Sequence, residues 1–221
     1  FFNMAKTLQN NIKGHVILGI NADPEYLKIP KIIQSLYRQY PNINLEIVTS
    51  STGEITQGIE TGKMDCGFAF GSHNNHQLKS VFLDRVDLVI AVPVQFKEQC
   101  RHATLEDIAE LPWIVPTNLC PFLNLVQSYL KTRGIDLPNK VFANDDITKY
   151  AYINQGIAIS VLEMNEAKNL AKNNKVFLWK NPDNKNKFET SLSVIYSNHQ
   201  SDDLLINTVT SCIKDAWNKN T

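Results

Sequence analysis

No apolar run in the 221-residue chain approaches the ~18 residues that a membrane-spanning helix needs, and no secretory signal pattern opens it. A basic excess is equally missing. Lys+Arg and Asp+Glu stand at 22 each, so these residues are expected not to neutralise phosphates along a duplex by themselves. Cysteine is sparse: Cys66, Cys100, Cys120 and Cys212 are scattered without a CxxC pair. That is the pattern of reduced thiols rather than of a disulfide framework. The expectation is a soluble, cytoplasmic protein that makes no membrane contact.

Catalytic signatures are also wanting. No G-x-S-x-G elbow occurs and no GxGxxG follows a strand. "GIETGKM" has one residue too few between its glycines for a phosphate loop, and Met64 stands where a Ser or Thr would meet magnesium. His73 and His76 in "HNNH" have no flanking Cys or acidic ligands, so a polar loop is expected there. Asp145 and Asp146 have no identifiable partner acid, and Asp146 is expected to cap the helix that follows. Cys120 stands just before a helix opening at Pro121, a position that lowers thiol pKa, so modest reactivity with peroxide is expected there first. No enzyme activity, no metal and no cofactor are expected.

What is present is an alternation of strands and helices. "HVILGI" reads as a buried strand and the stretch after it as a helix with its apolar face on Ile29, Ile32, Ile33, Leu36 and Tyr40. Pro30 is tolerable only in the first turn, so that helix should begin near Leu27, and Pro41 ends it. "INLEIVT", a helix from Thr52 to Thr61 stopped by Gly62, and "MDCGFAF" follow. A second series runs through "VDLVIAV", "TLEDIAEL" capped by Thr104, "WIV", "PFLNLVQSYLKTRG", "KVFAND" and a helix ending at Gly156. "IAISV", "KVFLW" and "TSLSVIY" supply the remaining strands, with "NPDNKNK" a turn between the last two. A final helix, capped by Ser201, should bury Leu205, Val209, Cys212, Ile213 and Ala216. Such alternation predicts parallel sheets with crossover helices, and the length allows two α/β lobes joined by crossing strands.

In "VTSSTGEI" the order Ser51-Thr52-Gly53-Glu54 fits a capping box. The second hydroxyl, Thr52, sits just inside the helix start, where backbone amides greet a polar ligand group. Thr52→Val is therefore expected to lower affinity for a ligand and leave stability nearly unchanged.

Five segments in register carry a family resemblance: "GHVILGI" followed by Ile29-Pro30, "YPNINLEI", "GIETGKMDCGF", "TLEDIAELPWI" and "AYINQGIAISV". With them the chain resembles, over essentially its whole length, the effector-binding region of LysR-type transcriptional regulators. The resemblance implies an α/β fold of two Rossmann-like lobes of periplasmic-binding-protein type II, hinged by two crossing strands. It divides the chain into the end of a linker helix (1–13), lobe I (14–92 and 197–221) and lobe II (93–196). The helical spacing of Phe1, Ala5, Leu8 and Ile12 agrees with that linker, which the family attaches to an N-terminal helix-turn-helix.

What the resemblance implies for function is a small-molecule effector held in the interlobe cleft and transmitted to DNA through the helix-turn-helix alone. The expected assembly is a homodimer or homotetramer, with subunits pairing through the first two helices and with RNA polymerase as a further partner. The other function such a fold serves is solute binding for a transport system. Thr52 falls on the family's effector-binding Thr or Ser, with Ser51 beside it. Asn21, Ala22 and Asp23 take the loop after the first strand, where many relatives carry Ser or Thr, and an Asp there would repel a carboxylate unless it is only a helix cap. Thr117, Asn118, Asp145, Asp146 and Ile147 are the effector candidates from lobe II. Val161 replaces the family's usual proline.

Overall fold

The computed structural model describes residues 12–73, 75–116, 120–143, 145–180 and 188–218. Residues 1–11, where the end of a linker helix is expected, Thr117, Asn118 and the "NPDNKNK" segment, expected to turn, lie outside the described residues. The chain forms two compact units: residues through Asp84 together with Ser191 onward, and Arg85–Thr190.

In the first unit β1 (Gly14–Ile20) lies between β2 (Ile43–Thr49) and β3 (Cys66–Phe70), parallel to both. Val16 and Leu18 are fully buried, as residues of a central parallel strand are when both faces are covered. The crossover helix α1 (Ile29–Gln39) starts two residues later than expected because Lys28 enters it in the left-handed conformation, φ 58°. Pro30 occupies the first turn, where its missing N–H leaves no bond unmade. Ile29, Ile32 and Leu36 are buried, while Ile33 and Tyr40 are half-buried. Helix α2 (Thr52–Glu60) is closed by Thr61 and by Gly62 at φ 72°, a conformation that glycine adopts without strain.

The sheet of this unit is not wholly parallel. β9 (Phe188–Ser197) runs antiparallel to β3, from Cys66↔Tyr196 to Phe70↔Leu192. The last helix, α8 (Leu204–Trp217), is capped by Asp203 and not by Ser201: the Asp203 carboxylate accepts the Leu205 and Ile206 N–H groups and also complements the helix dipole. Val209, Cys212, Ile213 and Ala216 are buried as expected, Ile206 joins them, and Leu205 is half-buried against Gly14.

The second unit is entered inside β4 (Leu78–Pro93) and left inside β9. β4 runs for 16 residues, longer than "VDLVIAV", because it begins at Leu78, and the burial of its first eight residues is mixed where that of its last six is complete. Its later residues pair antiparallel with β7 (Ser160–Glu163) and β8 (Val176–Trp179). Val161, in place of a proline, is a regular residue of β7 opposite Ile90. β5 (Trp113–Val115) and β6 (Lys140–Phe142) are parallel, and Trp113 also bridges Ile159. Around them stand a short α3 (Lys97–Cys100), α4 (Leu105–Ala109), α5 (Pro121–Lys131), α6 (Asp146–Asn154) and α7 (Met164–Lys172). Thr104 and Asp107 form the capping box of α4. Helix α7 was not legible from hydrophobic spacing, since only Ala167 of its nine residues is buried; the Glu163 carboxylate starts it by accepting the Asn165 and Glu166 N–H groups. The core joins Val89, Ala91, Ile114, Ile153, Leu162 and Val176.

Candidate functional site

Because β1, β2 and β3 are parallel, their carboxyl ends share one edge, the edge at which open α/β sheets hold ligands. β1 ends into Asn21-Ala22-Asp23, β2 into Ser50-Ser51-Thr52 and β3 at Phe70. Thr52 is only 8% exposed. Its Oγ1 accepts the Asn21 Nδ2 amide at 2.8 Å and the Phe70 N–H at 3.4 Å. Both lone pairs are then engaged and the hydroxyl hydrogen remains to be donated. Asn21 Oδ1 is buried without a hydrogen-bond partner. Phe70 escaped the sequence reading because its contribution is a backbone N–H, which no side-chain pattern marks.

These bonds correct the expectation for Thr52→Val. The hydroxyl serves the protein itself, and valine would leave the Phe70 N–H and the Asn21 amide without their acceptor, so stability falls along with affinity.

Ser51 does what its motif predicts. Its Oγ accepts the Glu54 N–H at 3.2 Å while Glu54 Oε2 accepts the Ser51 N–H at 3.2 Å, and Ser50 Oγ donates to the same carboxylate at 2.6 Å. Ser51→Ala removes the cap, and chemical denaturation should show a loss of about 0.5–2 kcal/mol. A loss below about 0.2 kcal/mol would contradict that role. Asp23 closes the turn before α1: its Oδ1 accepts the Glu25 and Tyr26 N–H groups at 2.9 and 3.1 Å. Ala22 lies beside it and adds no polar group.

His73, expected from the sequence to lie in a polar loop, follows β3. Its ring bonds to the backbone of Ala69 and Phe70, and Nε2 is buried without a partner. Burial holds the imidazole below its ordinary pKa, and the backbone acceptors offset this only in part.

In the second unit the cap of α6 is Asp145 rather than Asp146. Asp145 Oδ1 accepts the Thr148 N–H at 2.8 Å and Oδ2 the Thr148 hydroxyl at 2.9 Å, and these bonds hold its carboxyl below the usual range. Asp146, one residue inside, pairs with Lys149 at 2.7 Å, and Lys149 Nζ lies 3.5 Å from Glu166. Burial works to lower the Lys149 pKa, but the Glu166 and Asp146 carboxylates prevail and raise it. The Tyr150 hydroxyl donates to Glu166 as well. Lys149 was missed by the sequence reading, although its i,i+3 spacing from Asp146 is the helical signal for such a pair. Ile147 is 84% exposed. Thr117 and Asn118 lie outside the described residues.

Cys66, Cys100 and Cys212 are buried and burial pushes all three thiols up, whereas Cys120 is partly exposed at the head of α5. None of the four is in a disulfide.

The family model described as the LysR substrate binding domain matches residues 9–218. The chain belongs to this family. The HTH-type transcriptional regulator CzcR of Bacillus subtilis (strain 168) is 24% identical over 189 residues, which cover 84% of this chain and 61% of CzcR. The chain thus spans about three-fifths of that curated relative. In structure the LysR domain is similar to the regulatory domain of MetR, a LysR family regulator from N. meningitidis, with TM-score 0.70 and 13% identity over 92% of this chain and 93% of that one. It is also similar to the BenM effector binding domain with its effector benzoate, with TM-score 0.65 and 17% identity over 92% of this chain and 91% of that one. These likenesses establish the fold of this LysR domain as α/β of periplasmic-binding-protein type II.

Proposed function

We propose that this LysR domain senses a small-molecule effector for a DNA-binding transcriptional regulator, and that the effector is held on Asn21 and Thr52. One observation carries the reading: a nearly buried hydroxyl, fixed by Asn21 and the Phe70 N–H at the head of α2, keeps its hydrogen for a ligand. Such a group is aimed before the ligand arrives, which lowers the ordering cost of binding. The name of CzcR supports a helix-turn-helix as the DNA-contacting part, and the benzoate-bound BenM domain supports a small molecule as the signal.

The ligand acts by binding one arrangement of the regulator better than another, which shifts the population presented to DNA and to RNA polymerase. The working form is a homodimer or homotetramer acting in the cytoplasm. Tyr37, 67% exposed on α1, is an apolar group on the helix expected to pair subunits.

A thermal-shift screen of metabolites against the chain tests the reading. A true effector at 100 times its Kd adds about 2.7 kcal/mol of stability, and the same compound changes operator binding by the full-length protein. A stabilising metabolite that leaves operator binding untouched over its whole titration would count against a sensory role.

A further inference from the structure

The segment from Asn21 to Lys28 joins β1 to α1 and carries one side chain of the candidate site. Among the described residues the Asn21 amide makes one hydrogen bond, to Thr52 at 2.8 Å, so its place is set by the backbone that bears it. That backbone is tightly wound. The Asp23 carboxylate accepts the Glu25 and Tyr26 N–H groups, the Asp23 carbonyl accepts the Leu27 N–H at 3.0 Å, and the Pro24 carbonyl accepts the Ile29 N–H at 2.9 Å. Residues 23–29 therefore move as one body, and only Ala22 separates them from Asn21.

This body is fastened at its far end to the last turn of α8. The Lys28 ammonium stands 4.3 Å from the centre of the Trp217 ring and 3.4 Å from the Ala216 carbonyl oxygen, and Tyr26 meets the same ring edge-on at 6.2 Å. A cation over an indole face is attracted to it. The Ala216 carbonyl is one of the last four of α8, which have no intrahelical donor, and a cation there suits the negative end of the helix dipole. The helix end is itself held, since Cys212, Ile213 and Ala216 are buried.

Both halves of this contact break a local rule. Lys28 is left-handed at φ 58°, where glycine would sit without strain. Trp217 Nε1 is buried and has no acceptor among the described residues, a cost that phenylalanine would avoid. Glu25, Lys28, Pro30, Lys31 and Gln34 line an open cleft of about 450 Å³, so the ammonium has water within reach and stands over the ring nonetheless. Residues that stand against local preference in this way mark a tertiary contact that is put to use.

We infer that Lys28 and Trp217 are positioning residues for the effector site: the clasp between the entry to α1 and the end of α8 holds the Asn21 loop where its amide reaches Thr52. The inference rests on the reading of Asn21 and Thr52 as that site. With the clasp open, the Asn21 and Thr52 contact is made in a smaller fraction of molecules, and affinity for an effector seated there falls by that fraction.

Heteronuclear NMR of the 221-residue chain tests the clasp with no ligand added, so its failure is distinct from failure of the site reading, which titration of Thr52→Val decides. The Asn21 side-chain amide signals are identified by their loss in Asn21→Leu. The displacement that Thr52→Val imposes on them is the signature of the broken contact. Lys28→Gly relieves the left-handed backbone and removes the cation, Trp217→Leu removes the ring, and Lys28→Arg keeps a cation that stacks on an indole. Melting curves establish that each variant is folded. The expected result is that the Asn21 signals move in Lys28→Gly and Trp217→Leu as they do in Thr52→Val, and stay in place in Lys28→Arg. Unmoved signals in Lys28→Gly, or in a folded Trp217→Leu, would overturn the clasp. A displacement as large in Lys28→Arg as in Lys28→Gly would overturn the part given to the cation.

Discussion

Trp113→Ala should remove about 3–5 kcal/mol from the stability of the second unit, the cost of deleting a large, fully buried ring from a core that cannot close over the gap. Trp113 is 0% exposed, the largest fully buried side chain among the described residues, and its backbone pairs with Lys140 of β6 and with Ile159. Its Nε1 also donates to the Ile108 carbonyl at 3.1 Å, which ties β5 to the helix before it. Single domains have only about 5–15 kcal/mol in hand, so the variant should populate a state in which the second unit is open at physiological temperature. Trp113→Phe keeps most of the ring and loses the bond, so it should cost less, about 1–3 kcal/mol. Urea denaturation followed by amide exchange in this unit checks both. A loss below about 1 kcal/mol for Trp113→Ala would contradict this account of the core.

Gly67→Ala should cost about 1–3 kcal/mol by overpacking, although it adds a single methyl group to a strand. A Cβ at Gly67 would stand 2.4 Å from Ile55 Cγ2 and 3.1 Å from the Gly19 carbonyl oxygen. Ile55 is fully buried, and a Cβ at Gly19 would also meet it, at 2.8 Å. The paired glycines of β1 and β3 thus let α2 lie close on the sheet, and that approach brings Thr52 within reach of Asn21 and Phe70. Ile55→Ala alone should cost about 2–5 kcal/mol as a cavity. The double variant, in which the new methyl occupies part of that cavity, should cost less than the sum of the two. Strict additivity in denaturation midpoints would show that the two residues do not share this space.

The first unit was the more legible in the sequence because local signals there agree with the tertiary result. Pro30 can stand only in a first turn, Gly62 ends α2 in the left-handed conformation, and the Ser51 and Glu54 spacing specifies a capping box that forms as predicted. Reading failed where a tertiary partner decides. The direction of β9 depends on the strand beside it and not on its own residues. The choice of Asp203 over Ser201, and of Asp145 over Asp146, turns on where the helical backbone begins, and neighbouring residues with similar capping ability leave that ambiguous. Helix α7 hides because it buries a single residue. At the candidate site the sequence singled out Thr52 and Ser51 for their hydroxyls. It could not show that Asn21 reaches Thr52 across 31 residues, or that a main-chain N–H completes the group.

Titration of Thr52→Val beside Thr52→Ser, with an effector found by the metabolite screen, tests the central claim most directly. Valine keeps the branched shape and removes only the hydroxyl, while serine keeps the hydroxyl and so separates loss of contact from loss of shape. The account predicts that Thr52→Val weakens binding by about 0.5–1.5 kcal/mol for a neutral ligand group, roughly 2- to 13-fold in Kd, with melting also lowered, while Thr52→Ser stays near the unaltered protein. A loss of about 1.5–3 kcal/mol would instead report a charged group on the same hydroxyl. Unchanged affinity in folded Thr52→Val would show that the hydroxyl serves only Asn21 and Phe70, and would contradict the assignment of this edge as the effector site.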